Sequence, residues 1–220
     1  MKRFLLFTLV LCLFAMQANA AMYLTLDGGL GNTVSLADGD GDGIIAYNGS
    51  LGGSTVWTVN VTTGISKPML GGANEAKIDL NSVNVTSGGA GSLTIMLTDT
   101  DFDLTSLPGG QMTSSFGGTT NGTISFNQIL DPDNNEFGTG ASVVSLPSGP
   151  YGPGAFSGTE VAAVPVNKLF SLTEIAMITH TGDGQITSFD IESSVVPVPA
   201  AVILGMLGLG VAGIKLRKHV

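Results

Sequence analysis

Three aspartates alternate with three glycines in Asp38-Gly39-Asp40-Gly41-Asp42-Gly43. Carboxylates at every second position, followed by a glycine that permits a sharp turn, make the first half of a calcium loop. Counting Asp38 as position 1, position 12 falls on Gly49, so the bidentate acid of such a loop is missing and Asn48 is the nearest oxygen. Two readings follow. Asp38, Asp40 and Asp42 are calcium ligands, or they are a solvated acidic hairpin loop that uses no cofactor, and the second is preferred. A further acidic run, Asp99-Thr100-Asp101-Phe102-Asp103, projects three carboxylates to one side of an extended chain. They repel one another unless water or a cation separates them. A strand end running into water explains this run better than the paired acids of a glycosidase.

The remaining chemistry-bearing residues are sparse. His180 is the one histidine outside the last two residues, so a zinc site would need carboxylates for every other ligand. Beside Gly182-Asp183-Gly184 it reads as a turn residue. There is no nucleophile-elbow motif around any serine. Trp57 shares a strand face with Val59 and Val61 and is assigned to the core, leaving Tyr47 and Tyr151 as the candidate exposed aromatics. With no convergent catalytic set, the expectation is a non-enzymatic protein.

The elements that must position these groups are strands. Helical periodicity is absent between residues 21 and 194, and short β-rich runs recur instead: Met22–Leu26, Thr33–Leu36, Ile44–Asn48, Ser54–Val61, Ile78–Val85, Leu93–Thr98, Thr123–Leu130, Ala141–Leu146, Thr159–Val164, Phe170–Thr179 and Ile186–Ile191. Clusters of Gly, Asn, Asp and Pro separate them. This pattern predicts an all-β domain, an antiparallel jelly-roll-like β-sandwich of about ten strands. The apolar phase slips between Leu80 and Val83, which predicts a bulge there. The proline-bearing segment from Asp131 to Gly154 reads as a long loop flanking one strand.

Charge separates the middle of the chain from its ends. All 17 acidic residues lie between Asp27 and Glu192, opposed only by Lys67, Lys77 and Lys168, a net of −14. A domain of that charge with no arginine has no basic face for phosphates, so nucleic acid is excluded as a partner.

Both ends read as targeting segments. Lys2 and Arg3 precede an apolar run to Met16, and Ala18-Asn19-Ala20 supplies a small-x-small site for cleavage before Ala21. Residues 1–20 are therefore a secretory signal peptide. The single cysteine, Cys12, lies inside it, so the mature chain has no disulfide framework. At the other end, residues 195–220 hold Val196-Pro197-Val198-Pro199, an uncharged run from Ala200 to Ile214, and a basic tail with Lys215, Arg217 and Lys218. Fifteen helical residues span roughly 22 Å against a hydrocarbon core of about 30 Å. Such a short transmembrane helix suits a temporary anchor better than a permanent one. The basic residues at both ends place them on the cytoplasmic side of the inner membrane, with everything between exported.

This tripartite tail resembles the PEP-CTERM sorting signal of exopolysaccharide-producing Gram-negative bacteria, with Val-Pro-Val-Pro in place of the usual Pro-Glu-Pro. Thr58 to Pro68, Leu97 to Phe102 and Ile178 to Gly182 also resemble segments of uncharacterised β-rich proteins of that group. The resemblance implies recognition by an exosortase-type sorting enzyme, transfer to the cell surface or extracellular matrix, and association with exopolysaccharide. The alternatives are a carbohydrate-binding or adhesive module assisted by calcium and, below it, a polysaccharide hydrolase.

Overall fold

Where apolar and polar side chains alternate, a strand has one face that must be covered, and two sheets cover one another. The computed structural model describes residues 22–197 apart from 53–54, 73–74 and 107–108. The residues read as a signal peptide, with Ala18, Ala20 and Ala21, lie outside the described residues, as do Val198, Pro199, the run 200–214 read as a transmembrane helix, and the basic tail with Lys215, Arg217 and Lys218. Among the described residues no helix is long and apolar enough to cross a membrane.

Among the described residues twelve strands form, against about ten expected: β1 (Tyr23–Asp27), β2 (Thr33–Ala37), β3 (Ile44–Leu51), β4 (Trp57–Ile65), β5 (Ala76–Gly88), β6 (Gly91–Phe102), β7 (Gly110–Thr120), β8 (Thr123–Asp131), β9 (Val144–Tyr151), β10 (Gly154–Val164), β11 (Phe170–His180) and β12 (Asp183–Pro197). They build two six-stranded antiparallel sheets, ordered β2-β1-β6-β11-β8-β9 and β10-β7-β12-β5-β4-β3. The inward sets form one continuous core, including Leu24, Trp57, Ile78, Ile95, Phe126, Phe170 and Phe189. This is the all-β sandwich that the periodicity predicts.

The strand absent from the sequence reading is β7. Its sequence, GQMTSSFGGTT, offers only Met112 and Phe116 as apolar signals. It is nevertheless central, paired with β10 on one side and β12 on the other. Small residues suit it because its neighbours crowd in. A Cβ on Gly118 would collide with the Ser188 carbonyl oxygen and lie 2.8 Å from Phe189 Cα. Composition alone reads such a stretch as a loop, and tertiary packing overrides that propensity.

The phase slip between Leu80 and Val83 is a bulge. Phe189 pairs with Val83 and Ile191 with Leu80, so Asn81 and Ser82 both oppose Asp190. Ser82 sits at φ 53°, and its N–H donates to the Asp190 carboxylate. The irregularity passes straight through β4, whose pairing with β5 stays in step, and reappears against β3 between Ile45 and Tyr47. The Asp131–Gly154 segment is a loop followed by β9, where Pro147 and Pro150 are accommodated because β9 is an edge strand. At the C-terminal end β12 continues through Val195, which is fully buried, to Pro197 opposite Gly110. The first residues of the tail segment thus belong to the sheet.

Gly118→Ala tests this account of β7. It should destabilise the domain by about 1–3 kcal/mol in chemical denaturation, whereas Gly39→Ala, whose Cβ meets nothing within 4 Å, should leave it almost unchanged.

Candidate functional site

Asp38 closes the β2–β3 loop on itself. Its Oδ1 accepts the Gly41 N–H at 2.9 Å and its Oδ2 accepts the Gly43 N–H at 2.8 Å. Burial pushes the Asp38 carboxyl up, but hydrogen bonds from the Gly43, Gly41 and Asp42 backbone outweigh it and hold the group below its ordinary range. Asp42 caps the following strand by accepting the Ile44 N–H at 2.9 Å. The three carboxylates of Asp38, Asp40 and Asp42 come within 4.8 Å of one another, so they are the residues able to hold a hard cation. The two backbone bonds to Asp38 already account for the loop's shape.

The second acidic run divides three ways. Asp99 turns into the sandwich and is fully buried. Its Oδ2 accepts from Ser66 Oγ at 2.6 Å and pairs with Lys67 Nζ at 2.9 Å. The same ammonium donates to the Thr100 carbonyl and lies 4.0 Å above the Phe102 ring. Burial pushes the Asp99 carboxyl above its ordinary value, with Lys67 and Ser66 opposing that rise only in part. Asp101, at φ 61°, is clasped by Asn134 on the far loop: its N–H donates to Asn134 Oδ1 at 2.8 Å and its Oδ1 accepts from Asn134 Nδ2 at 2.7 Å. Asp103 is exposed and held low by the Thr105 backbone and hydroxyl.

These pieces converge. A cleft of about 530 Å³ opens at this end of the sandwich, between the β2–β3 loop, the β4–β5 loop and the segment after β6. Asp40, Glu75, Asp101 and Asp103 supply its carboxylates; Pro68, Leu70 and Leu104 supply apolar wall. Lys67 is the one cation in the lining, and Asp99 already neutralises it. Of the aspartates singled out in the sequence, Asp40, Asp101 and Asp103 therefore share one cleft, while Asp38, Asp42 and Asp99 are not part of its lining. Lys67 and Glu75, which complete it, carry no local motif; the one available signal was the scarcity of lysine in so acidic a domain.

His180 lies at the opposite end of the strands, opposite Gly91 rather than Phe102. It is a core residue, 5.2 Å from the Trp57 ring. Ser87 Oγ gives its proton to the Gly182 carbonyl, so His180 Nδ1 must donate to Ser87 and Nε2 must accept from Thr187, both at 2.8 Å. Thr187 is supplied in turn by Thr120 at 2.7 Å. Burial lowers the basicity of the ring and keeps it neutral, and the donation to Ser87 then puts its single proton on Nδ1. Trp57 is fully buried, as its strand face requires. Tyr47 and Tyr151 are half-buried against the core rather than exposed, Tyr151 stacked on Phe156 at 5.4 Å.

No protein-family model and no curated protein matches the chain. Among solved structures it is similar to the enzymatically active domain of tailspike protein 4 from bacteriophage CBA120, at 16% identity over 80% of this chain, with TM-score 0.36. The chain spans only 19% of that protein's length. It is also similar to TmCBM61 in complex with β-1,4-galactotriose, at 11% identity over 62% of this chain and 86% of that one, with TM-score 0.31. The third, the family 11 carbohydrate-binding module of Clostridium thermocellum, is 12% identical over 81% of this chain and 98% of that one, with TM-score 0.30. Likeness at that level carries no argument about ligand or activity.

Lys67→Met should destabilise the domain by roughly 2–3 kcal/mol at pH 7, because it strands a buried carboxylate. The folded-state pKa of Asp99 is raised, so its neutral form is the one the fold favours, and the penalty should shrink as acid protonates it. Denaturation of parent and variant at pH 7 and pH 4 measures both effects.

Proposed function

We propose that this is an exported, non-enzymatic surface protein whose β-sandwich binds polysaccharide in the acidic cleft. The observation that carries the reading is the convergence of three loops, remote in sequence, on one open cleft lined by carboxylates and apolar side chains. Carboxylates accept the hydroxyls of a sugar while apolar wall meets its C–H faces, and a volume of this order suits a short stretch of a polysaccharide. The strand order supports the jelly-roll form of the sandwich: β5-β12-β7-β10 over β6-β11-β8-β9, with β4-β3 and β1-β2 added at one flank.

A binding role is favoured over hydrolysis by the state of the acids. A glycosidase needs one carboxyl held protonated within reach of the bond it cleaves. Here Asp103 is held low by Thr105, Asp101 is tied to Asn134, and Asp99, whose carboxyl is raised, is buried beneath Lys67. The calcium-assisted variant of the reading assigns the ion to Asp38, Asp40 and Asp42.

Delivery is assigned to the two ends. The signal peptide exports the chain, and the PEP-CTERM-like tail presents Val196–Pro199 to an exosortase-type enzyme at the inner membrane. Because β12 runs through Pro197, recognition takes place close against the folded domain.

The cleft's charge sets its preference. Neutral polysaccharides should retard the protein in affinity electrophoresis, while polyuronates should not, since they bring like charge to four carboxylates. Asp40→Asn with Asp103→Asn should weaken binding at least about tenfold with an unchanged melting temperature. Equal binding by this double variant, or none by the parent to any neutral polymer, would remove the cleft from the proposal. A chelator that abolishes binding would bring the calcium variant forward. Separately, C-terminal peptide mapping of cell fractions should find a surface or released form ending near Pro197–Pro199; a membrane form that keeps Lys215 to Val220 would sink the sorting step.

A further inference from the structure

Four polar side chains meet in the middle of the sandwich without partners. Glu174 on β11 and Gln128 on β8 are direct cross-strand neighbours in one sheet. Ser193 on β12 and Ser114 on β7 are direct neighbours in the other. All four are fully buried, and both Glu174 oxygens, both Gln128 polar atoms and both serine hydroxyls lack a hydrogen-bond partner in the protein. Ser193 and the Leu80 backbone lie near enough to favour the Glu174 carboxylate electrostatically, which sets Glu174 against the opposite sheet, yet neither closes a hydrogen bond.

Orphaned groups on this scale are costly. Each buried polar group left unmade costs about 1–3 kcal/mol, and interiors answer the problem with enclosed water that makes roughly three hydrogen bonds. The inventory suits water. Gln128 offers two N–H donors and a carbonyl, each serine offers a donor and an acceptor, and a neutral Glu174 offers both. Burial, with Asp79 and Glu192 adding to it, pushes Glu174 well above the ordinary carboxylate range. A cation is a poor occupant beside a single carboxyl kept neutral. We propose that the sandwich encloses an internal hydration site at this crossing, with water bridging Glu174 and Gln128 of one sheet to Ser114 and Ser193 of the other.

The test is water–protein cross-relaxation NMR on the purified chain with the Gln128 side-chain amide assigned. A long-lived water contact to that amide is expected in the parent and should persist in Glu174→Gln, which keeps the hydrogen-bonding shape. It should also survive chelation, which excludes a metal-held water. A folded parent with no such contact overturns the proposal, as does a direct Glu174–Gln128 hydrogen bond in its place. A second readout uses charge. Around this group, Asp79 and Glu192 carry negative charge and Lys77 is paired with Glu192. A raised folded pKa means stability present below the unfolded value of about 4.5 and lost as pH rises. Glu174→Gln should therefore melt higher than the parent above pH 7 and equal to it at pH 4; a variant that melts lower at both would overturn the neutral-acid site.

Discussion

Asp99 carries a carboxylate into the sandwich interior, and the open end of the molecule is arranged around making that tolerable. Removing a charge from water costs several kcal/mol unless a counter-charge and hydrogen bonds go with it. Lys67 and Ser66 supply both, and they come from the loop that joins β4 to β5. Because Lys67 also holds the Thr100 carbonyl and covers Phe102, the pair fastens that loop to the end of β6. The floor and one wall of the cleft are thereby fixed by one interaction. The second wall depends on Asp101, whose positive φ places it where Asn134 can clasp both its backbone and its side chain.

The two ends of the sandwich solve the same problem in opposite ways. At the His180 end, every polar atom of the imidazole is spent on a directed chain of hydroxyls, from Thr120 through Thr187 and on to Ser87 and Gly182. The imidazole itself has no polar atom left to meet a ligand. At the other end, Asp40, Glu75 and Asp103 keep carboxylate oxygens facing solvent. A histidine thus marks the closed end, and aspartates of generic appearance mark the open one.

Much of this was legible in the residues. Period-two alternation located most strands, and the slipped phase between Leu80 and Val83 located the bulge. Glu174 passed unremarked in the sequence, although it falls on the inward face of β11 with Leu172, Ala176 and Ile178. What could not be read was β7, because glycine, serine and threonine at a crowded central position look like a loop. The cleft was half legible. Its acidic loops stood out, but their meeting point depends on pairing between strands far apart in the chain, and Lys67 and Glu75 have no local pattern to announce them.

A glycine-rich acidic loop would ordinarily be expensive to order on binding, since glycine has the most backbone freedom to lose. Here that cost is met before any ligand arrives. Asp38 holds the Gly41 and Gly43 amides, and Asp131 holds the Asp133 and Gly140 amides and the Asn135 side chain. Burial raises both carboxyls, but these donors outweigh it and keep both below the ordinary range, so the clasps stay ionised and closed until the pH falls through those depressed values. The Asp40–Gly41 wall of the cleft, held in this way by Asp38, loses little entropy when a ligand settles against it.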